Sequence, residues 1–348
     1  EVILAHNSDA TVRVIESIDE DADDRSGKVP YTTDFHVIRE KLASQSNFLQ
    51  ANLPHQKAGH GPPVFVLKGI HEQPKKVNPS SIAVEAWLAF IHHGIGKLPH
   101  HLYAMPPNEV WNVVGVGAEY GICHGSLDGL KPWFFKWYEQ NLLQQILARE
   151  LAFPCFVFDH AEGFMKATKW LAYNCSGHVQ ESNPTEYRHL HLDPRVFTGA
   201  INAARGHLKT VLQRELWGVI EHLYTATCAC RKETEFDYQN TLVKLNAWPL
   251  ERVYQRTAMS TILDRLAKFS FTPATTTCDS RVCQRDFNQV VYKAHDRTSQ
   301  DFQGLCLDCM RRSRPKNDMT HEDYWRYNYP VNGCWDMGCR FGHGRSTW

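Results

Sequence analysis

The strongest constraint in this chain is where its cysteines fall. Of 11 cysteines in 348 residues, three (Cys123, Cys155 and Cys175) lie in residues 1–227 and eight lie in residues 228–348. That total is far below the cysteine content of a disulfide scaffold. Close-spaced pairs in a chain with no recognisable secretory signal point to metal before disulfide. The pairs are Cys228-x-Cys230, Cys278-x4-Cys283, Cys306-x2-Cys309 and Cys334-x4-Cys339, the last followed by His343. Zinc takes four sulfur or nitrogen ligands in a tetrahedron, and a Cys-x2-Cys turn presents two thiolates to one ion. Eight of these nine ligands would fill two closed, structural zinc sites. Cys306/Cys309 is the strongest signal, and Cys334/Cys339/His343 has the spacing of the end of a Cys3His finger. Cys228-x-Cys230 is the weakest, because a single intervening residue rarely lets both thiols reach one ion without strain. Spacing does not say which cysteine joins which site. The isolated Cys123, Cys155 and Cys175 read as core residues.

Lys+Arg and Asp+Glu both total 38, so the formal net charge is zero. Polyanion binding driven by net charge is therefore disfavoured. No apolar run approaches the roughly 20 residues of a membrane helix. The first six residues lack the charged-then-apolar pattern of a signal peptide. The expectation is a soluble cytoplasmic or nuclear protein of about two domains.

Along the chain, residues 10–15 alternate as a strand with Val12 and Val14 on one face. Five acidic residues between Asp19 and Asp24 mark a solvated hairpin loop, and Tyr31 to Val37 is the return strand. Ile38 to Leu53 fits an amphipathic helix loosely, and Val64 to Leu67 reads as a buried strand. Helices are then expected at 82–92 with Gly94 as the stop, from Pro106-Pro107 to about Tyr120, and from Ser126 or Asp128 to Leu151 with a break in the middle. Cys155 to Asn174 is helical in pattern. Leu208, Val211, Leu212, Leu216, Val219, Ile220 and Leu223 recur at helical spacing. Beyond Cys228 short helices separated by cysteine pairs, Pro and Gly are expected.

Residues 1–140 resemble a fungal BTB/POZ domain. The resemblance is carried in order by the opening hairpin, by Phe35-His-Val37 with Leu42, Ser46 and Phe48, and by the short strand Val64 to Leu67. It continues through Phe90-Ile-His-His-Gly94, Val110 to Tyr120, and Leu130-Lys-Pro-Trp133 to Trp137. "W-P-L" at 248–250 and "G-L-C-L-D-C" at 304–309 are similar to the cysteine-bearing C-terminal half of many fungal BTB proteins. The resemblance implies an α+β BTB/POZ-like domain over 1–140, a helical extension over 141–227 and a Cys-rich, zinc-binding region over 228–348. It also implies a protein partner or a homodimer through the first domain. Cullin-binding members carry an apolar-x-Glu signature after the first long helix. Phe48-Leu-Gln-Ala-Asn-Leu53 has no glutamate, which speaks against a ubiquitin-ligase adaptor.

Other motifs read as structure. Gly115-Val-Gly117 with Gly121 has the third glycine one place late for a dinucleotide loop and sits in a helical pattern. His160-Ala-Glu162 imitates a zinc deaminase motif, but about 145 residues separate it from Cys306-x2-Cys309 and no Pro precedes Cys306. Asn174-Cys-Ser176 has the glycosylation pattern but no expected exposure to the transferase. His92-His93 suits a helix C-terminus electrostatically, and His189-x-His191 reads as surface. Trp133, Phe134, Phe135, Trp137 and Tyr138 at helical spacing read as core more than interface. The function expected is a non-enzymatic protein–protein interaction protein with structural zinc. Two alternatives stand beside it. One is a nucleic-acid-binding regulator using the C-terminal Cys/His region with Arg311 to Lys316. The other is an enzyme with a pocket between the two halves, for which no catalytic residue is indicated.

Overall fold

A computed structural model describes residues 1–16, 31–54, 61–67, 79–141, 148–273, 278, 282–312, 325 and 339–341, without the side chains of 123–126 and 312. An α+β N-terminal region is followed by a largely helical, cysteine-bearing C-terminal region. The chain forms two compact units, Glu1–Gly163 with Ser182–His191, and Phe164–Glu181 with Leu192–Trp348.

The first unit contains β1 (Val2–Ile3), β2 (Ala10–Glu16), β3 (Tyr31–Val37) and β4 (Val64–Leu67) in the order β1-β3-β2-β4. β2 and β3 pair antiparallel, while β4 returns parallel to β2. Alternation puts Val12, Val14, Phe35 and Val37 in the core. It turns Arg13 outward, where it forks onto the cross-strand Asp34 at 2.7 Å. The strand expected to be buried, β4, buries only Leu67, and Val64 is exposed. The acidic 19–24 stretch lies outside the described residues.

The single loose helix expected over 38–53 is two: α1 (Arg39–Ala43) and α2 (Asn47–Asn52). Ser46 causes the break. Its hydroxyl accepts from Leu49 N at 3.1 Å as an N-cap and donates to Tyr120 O at 2.6 Å. α3 (Ser81–His93) is capped by Ser80 and stopped by Gly94 at φ 70°. Pro107 opens α4 (Pro107–Glu119) as an N1 proline. α5 (Cys123–Asn141) starts earlier than expected, and α6 (Ala148–Val157) contains Pro154. The helix expected over 155–174 is interrupted: Asp159 takes φ 57°, and α7 (Ala161–Asn174) begins afresh.

Four fully buried tryptophans organise this unit, each with its indole N–H donated to a main-chain carbonyl. Trp87 reaches Val113 O, Trp111 reaches Glu150 O, Trp133 reaches Leu102 O and Trp137 reaches Met105 O. The aromatic run of α5 is therefore core, with Phe134 stacked on Phe158 at 4.6 Å; Phe135 alone of the five is exposed. Gly115 lies within α4 because a side chain there would strike the Tyr187 ring, at 2.6 Å from a Cβ.

In the second unit, α8 (Ala200–Thr225) buries all seven residues of the apolar stripe from Leu208 to Leu223. α9 (Arg231–Lys244), α10 (Leu250–Tyr254), α11 (Met259–Leu266), α12 (Phe287–Asp301) and α13 (Leu307–Arg312) follow. α9 and α12, at 14 and 15 residues, are longer than the short helices expected. Tyr238 gathers Phe269, Phe271 and Phe287 into an aromatic core and donates to Leu216 O at 3.2 Å. Arg205, 5% exposed, donates to the carbonyls of Cys175 and Gly177 beyond the end of α7 and lies over the Tyr254 ring. The dipole at that helix end suits the cation.

Candidate metal centres

Both thiol clusters belong to the second unit. The first draws on two stretches 50 residues apart in sequence. Cys228 and Cys230 occupy the tight turn between α8 and α9, Cys230 standing at the N-cap position of α9. Cys278 and Cys283 come from the chain ahead of α12, and the Gln284 side chain donates to Cys278 O, tying those two residues together. Asp286 then caps α12 by accepting from Gln289 N at 3.0 Å. The result is four sulfurs within 4.8 Å of one another, Cys228 Sγ and Cys283 Sγ at 3.2 Å.

The second cluster holds Cys306, Cys309 and Cys339, again within 4.8 Å. Cys306 precedes α13 and Cys309 lies one turn into it, with Met310 N donating to Cys306 O at 2.9 Å. Cys339 Sγ stands 3.5 Å from Cys306 Sγ and 4.0 Å from Cys309 Sγ. Two supports place these thiols. The approach segment is fixed at Gly304, φ 104°, whose Cα lies so close to Met165 that a Cβ would come 2.0 Å from its carbonyl oxygen. Next to it, Leu305 N donates to the buried Thr168 Oγ1 at 2.7 Å. On the other side, Arg340 clasps Asp308: its backbone N donates to Oδ2 at 2.9 Å and its Nη2 to Oδ1 at 2.8 Å. Asp308 lies between the two cysteines of the Cys-x2-Cys turn, so this pair pins Cys339 beside them.

The spacings discriminate. A disulfide needs sulfurs at about 2.05 Å, and none of these pairs is that close. Tetrahedral zinc with bonds of ~2.3 Å holds its thiolates roughly 3.8 Å apart. The observed 3.2, 3.5 and 4.0 Å bracket that value. The two clusters are geometrically suited to hold a metal ion each. Burial, and then hydrogen bonding with Cys228 and Cys230, pushes the Cys283 thiol up to about 12. Hydrogen bonding with Cys306, followed by burial, raises Cys309. Crowded thiols thus resist ionising on their own, and a bound cation inverts that preference by stabilising thiolates.

Cys228 and Cys230, the pair expected to be weakest, stand in one cluster. The turn leading into α9 bends the chain enough for both sulfurs to converge, which the single-residue spacing alone does not convey. Cys334 and His343 lie outside the described residues. Cys155 and Cys175 are buried in the cores of their respective units, and the Cys123 side chain lies outside the described residues.

The discounted motifs have structural roles. His92 is buried rather than a surface charge at a helix end: its Nε2 accepts from Ile38 N at 2.9 Å and its Nδ1 donates to Leu88 O at 2.8 Å. Desolvation by burial lowers its pKa, keeping the ring neutral. His160 Nδ1 accepts from Gly163 N at 2.9 Å, capping α7. His189 and His191 are exposed, as is Arg311, while 313–316 lie outside the described residues. Among the described residues no helix is long and apolar enough to cross a membrane. Compared with protein-family models, with curated proteins and with solved structures, the chain matches none.

Proposed function

We propose that this chain is a non-enzymatic interaction protein in which a BTB/POZ-like N-terminal domain, of the fungal type, is joined to a C-terminal region stabilised by two structural zinc ions. The observation that carries the reading is the convergence of seven cysteines from the C-terminal region into two clusters with zinc-like sulfur spacing. The residues that would hold the ions are Cys228, Cys230, Cys278 and Cys283 at one site and Cys306, Cys309 and Cys339 at the other, with Cys334 or His343 as the fourth ligand of the second. Zinc there supplies folding free energy to segments with little regular core of their own.

The BTB/POZ-like reading is supported by the order of elements in the first unit. A strand hairpin is followed by a helix pair, a strand returning parallel beside the hairpin, and then successive helices. Such a domain works by burying an apolar surface against a protein partner or a second copy, a few aromatic anchors contributing most of the affinity. Cytoplasm or nucleus, both of which keep thiols reduced, suits the proposed zinc sites.

The test is the metal content of the chain purified without added metal, its native thiol count and its mass in solution. Two zinc ions per chain with the clustered thiols protected, and a dimeric mass or a captured protein partner, are expected. A metal-free chain with all 11 thiols freely reactive overturns the zinc reading. One zinc carrying an exchangeable water would point instead to catalysis.

A further inference from the structure

We infer that the outer face of α9 is an interface between two copies of this chain, which pack α9 against α9 antiparallel about a two-fold axis near Gln239 and Asn240. The contact lies in the second unit and is separate from the pairing proposed for the first domain.

The argument starts from a helix with apolar residues on both sides. Thr234, Tyr238 and Leu242 recur every fourth residue and are buried, forming the inner face of α9. Opposite them stand Phe236, 67% exposed, and Val243, 47% exposed. A step of seven residues falls about 20° short of two full turns, so these two lie in line on one outer face, roughly 10 Å apart. Among the described residues no other helix leaves two large apolar side chains exposed. Tyr224, 58% exposed at the end of α8, widens the patch: its hydroxyl bonds the carboxylate of Glu235, next to Phe236. An apolar face rimmed by charge marks a protein contact.

The charge pattern says what covers it. α9 is acidic in its first half, with Glu233, Glu235 and Asp237, and ends on Lys244. Glu235 is already engaged by Tyr224 and by Gln239 Nε2 at 3.1 Å. Glu233, Asp237 and Lys244 share one flank beside the Phe236–Val243 line. A two-fold axis that reverses the second helix keeps like flanks together. It sets Phe236 on Val243 of the second copy and Lys244 between Glu233 and Asp237 of the second copy, each contact being made twice. A parallel pairing would instead set the two acidic halves side by side. The antiparallel arrangement also opposes the two helix dipoles. One helix pair is a small contact, so association with a Kd of about 10–100 µM is expected.

The experiment is sedimentation velocity on the full chain as purified, at concentrations spanning that range. The wild type should double in mass with concentration, from monomer to dimer, or from dimer onward if the first domain is already paired. Phe236→Glu should weaken that step at least about 10-fold. Lys244→Glu should weaken it too, and adding Glu233→Lys and Asp237→Lys to Lys244→Glu should restore it. Asn240→Cys, beside the axis, should link to residue 240 of its own copy under mild oxidation. If Phe236→Glu proves unfolded by circular dichroism, Val243→Lys and the charge exchange decide instead. A wild type with no concentration-dependent step overturns the inference. So does a step that Phe236→Glu and the charge exchange leave unchanged; association then runs through another surface, and the pairing proposed for the first domain still stands. A chain that does not self-associate but captures a different protein through Phe236 overturns it as well, and the face then belongs to that partner.

Discussion

Gly304 separates two effects of adding one methyl group. Its φ of 104° is a conformation that residues with a Cβ avoid, at a cost of about 1–3 kcal/mol. A Cβ there would also sit 2.0 Å from Met165 O, which is backbone and cannot swing away. Relief requires the segment to retreat by about 1 Å, and overpacking of this kind costs roughly 1–3 kcal/mol. The retreat pulls Leu305 N from Thr168 Oγ1, now 2.7 Å away with both residues fully buried, and an unpaired buried donor costs about 1–3 kcal/mol. Gly304→Ala should therefore destabilise the second unit by at least about 3 kcal/mol, a large share of a typical domain's 5–15 kcal/mol. Gly206 is the control. It lies exposed in the middle of α8, and a methyl added there would meet no atom within 4 Å. Gly206→Ala should stabilise by roughly 0.5–1 kcal/mol through helix propensity. Urea unfolding followed by circular dichroism, at fixed zinc, reads both. If the two variants shift the midpoint in the same direction, or Gly304→Ala leaves it unmoved, the packing argument at this approach to the second cluster is refuted.

Three further outcomes are expected. Asp308→Asn loses the charge that Arg340 clasps, and weakened support of metal ligands typically lowers affinity 10–100-fold; competition with a zinc chelator should show that loss for one ion only, and equal loss at both sites would be contrary. Burial lowers the folded pKa of His92 below its ordinary 6.5, so the unfolded chain binds the proton more readily. The stability it contributes is complete above pH 6.5 and falls as the pH drops through the folded value. His92→Gln should flatten the stability–pH slope between about pH 7 and 5, and an unchanged slope counts against a buried neutral ring. Arg205→Met leaves the carbonyls of Cys175 and Gly177 without their guanidinium partner and should cost about 2–3 kcal/mol; a thermal midpoint equal to wild type would show that water replaces the side chain.

Much of this molecule is readable from local pattern. Alternation placed β2 and β3, because a two-residue period leaves one face for the core. The seven apolar residues of α8 sit at helical spacing and are all buried. Ser80 and Gly94 delimit α3 by the donors and backbone angles they provide. The long tryptophan-rich run of α5 reads correctly as core, since indoles of that size are rarely left in water. Eight cysteines in close pairs mark residues 228–348 as the place where thiols gather, and the seven of them among the described residues do cluster.

What only the tertiary structure decided are matters of convergence. Ser46 looks like any polar residue in a loose helix until the Tyr120 carbonyl, 74 residues away, arrives beside it and the helix divides. The helical pattern from Cys155 to Asn174 reads as continuous, yet Cys155 belongs to α6 together with Pro154, and Asp159 makes the break. Which thiols share a site depends on α8, α9 and α12 bringing a Cys-x-Cys turn against Cys278 and Cys283, and sequence spacing carries no record of that approach. Asp308 and Arg340 are ordinary charges in sequence; folded, they hold Cys339 against the Cys306–Cys309 turn. Local period and capping act within a few residues of their source and so are written along the chain. A metal site is set by sulfurs meeting within a few ångströms, and that meeting depends on the packing of the whole second unit.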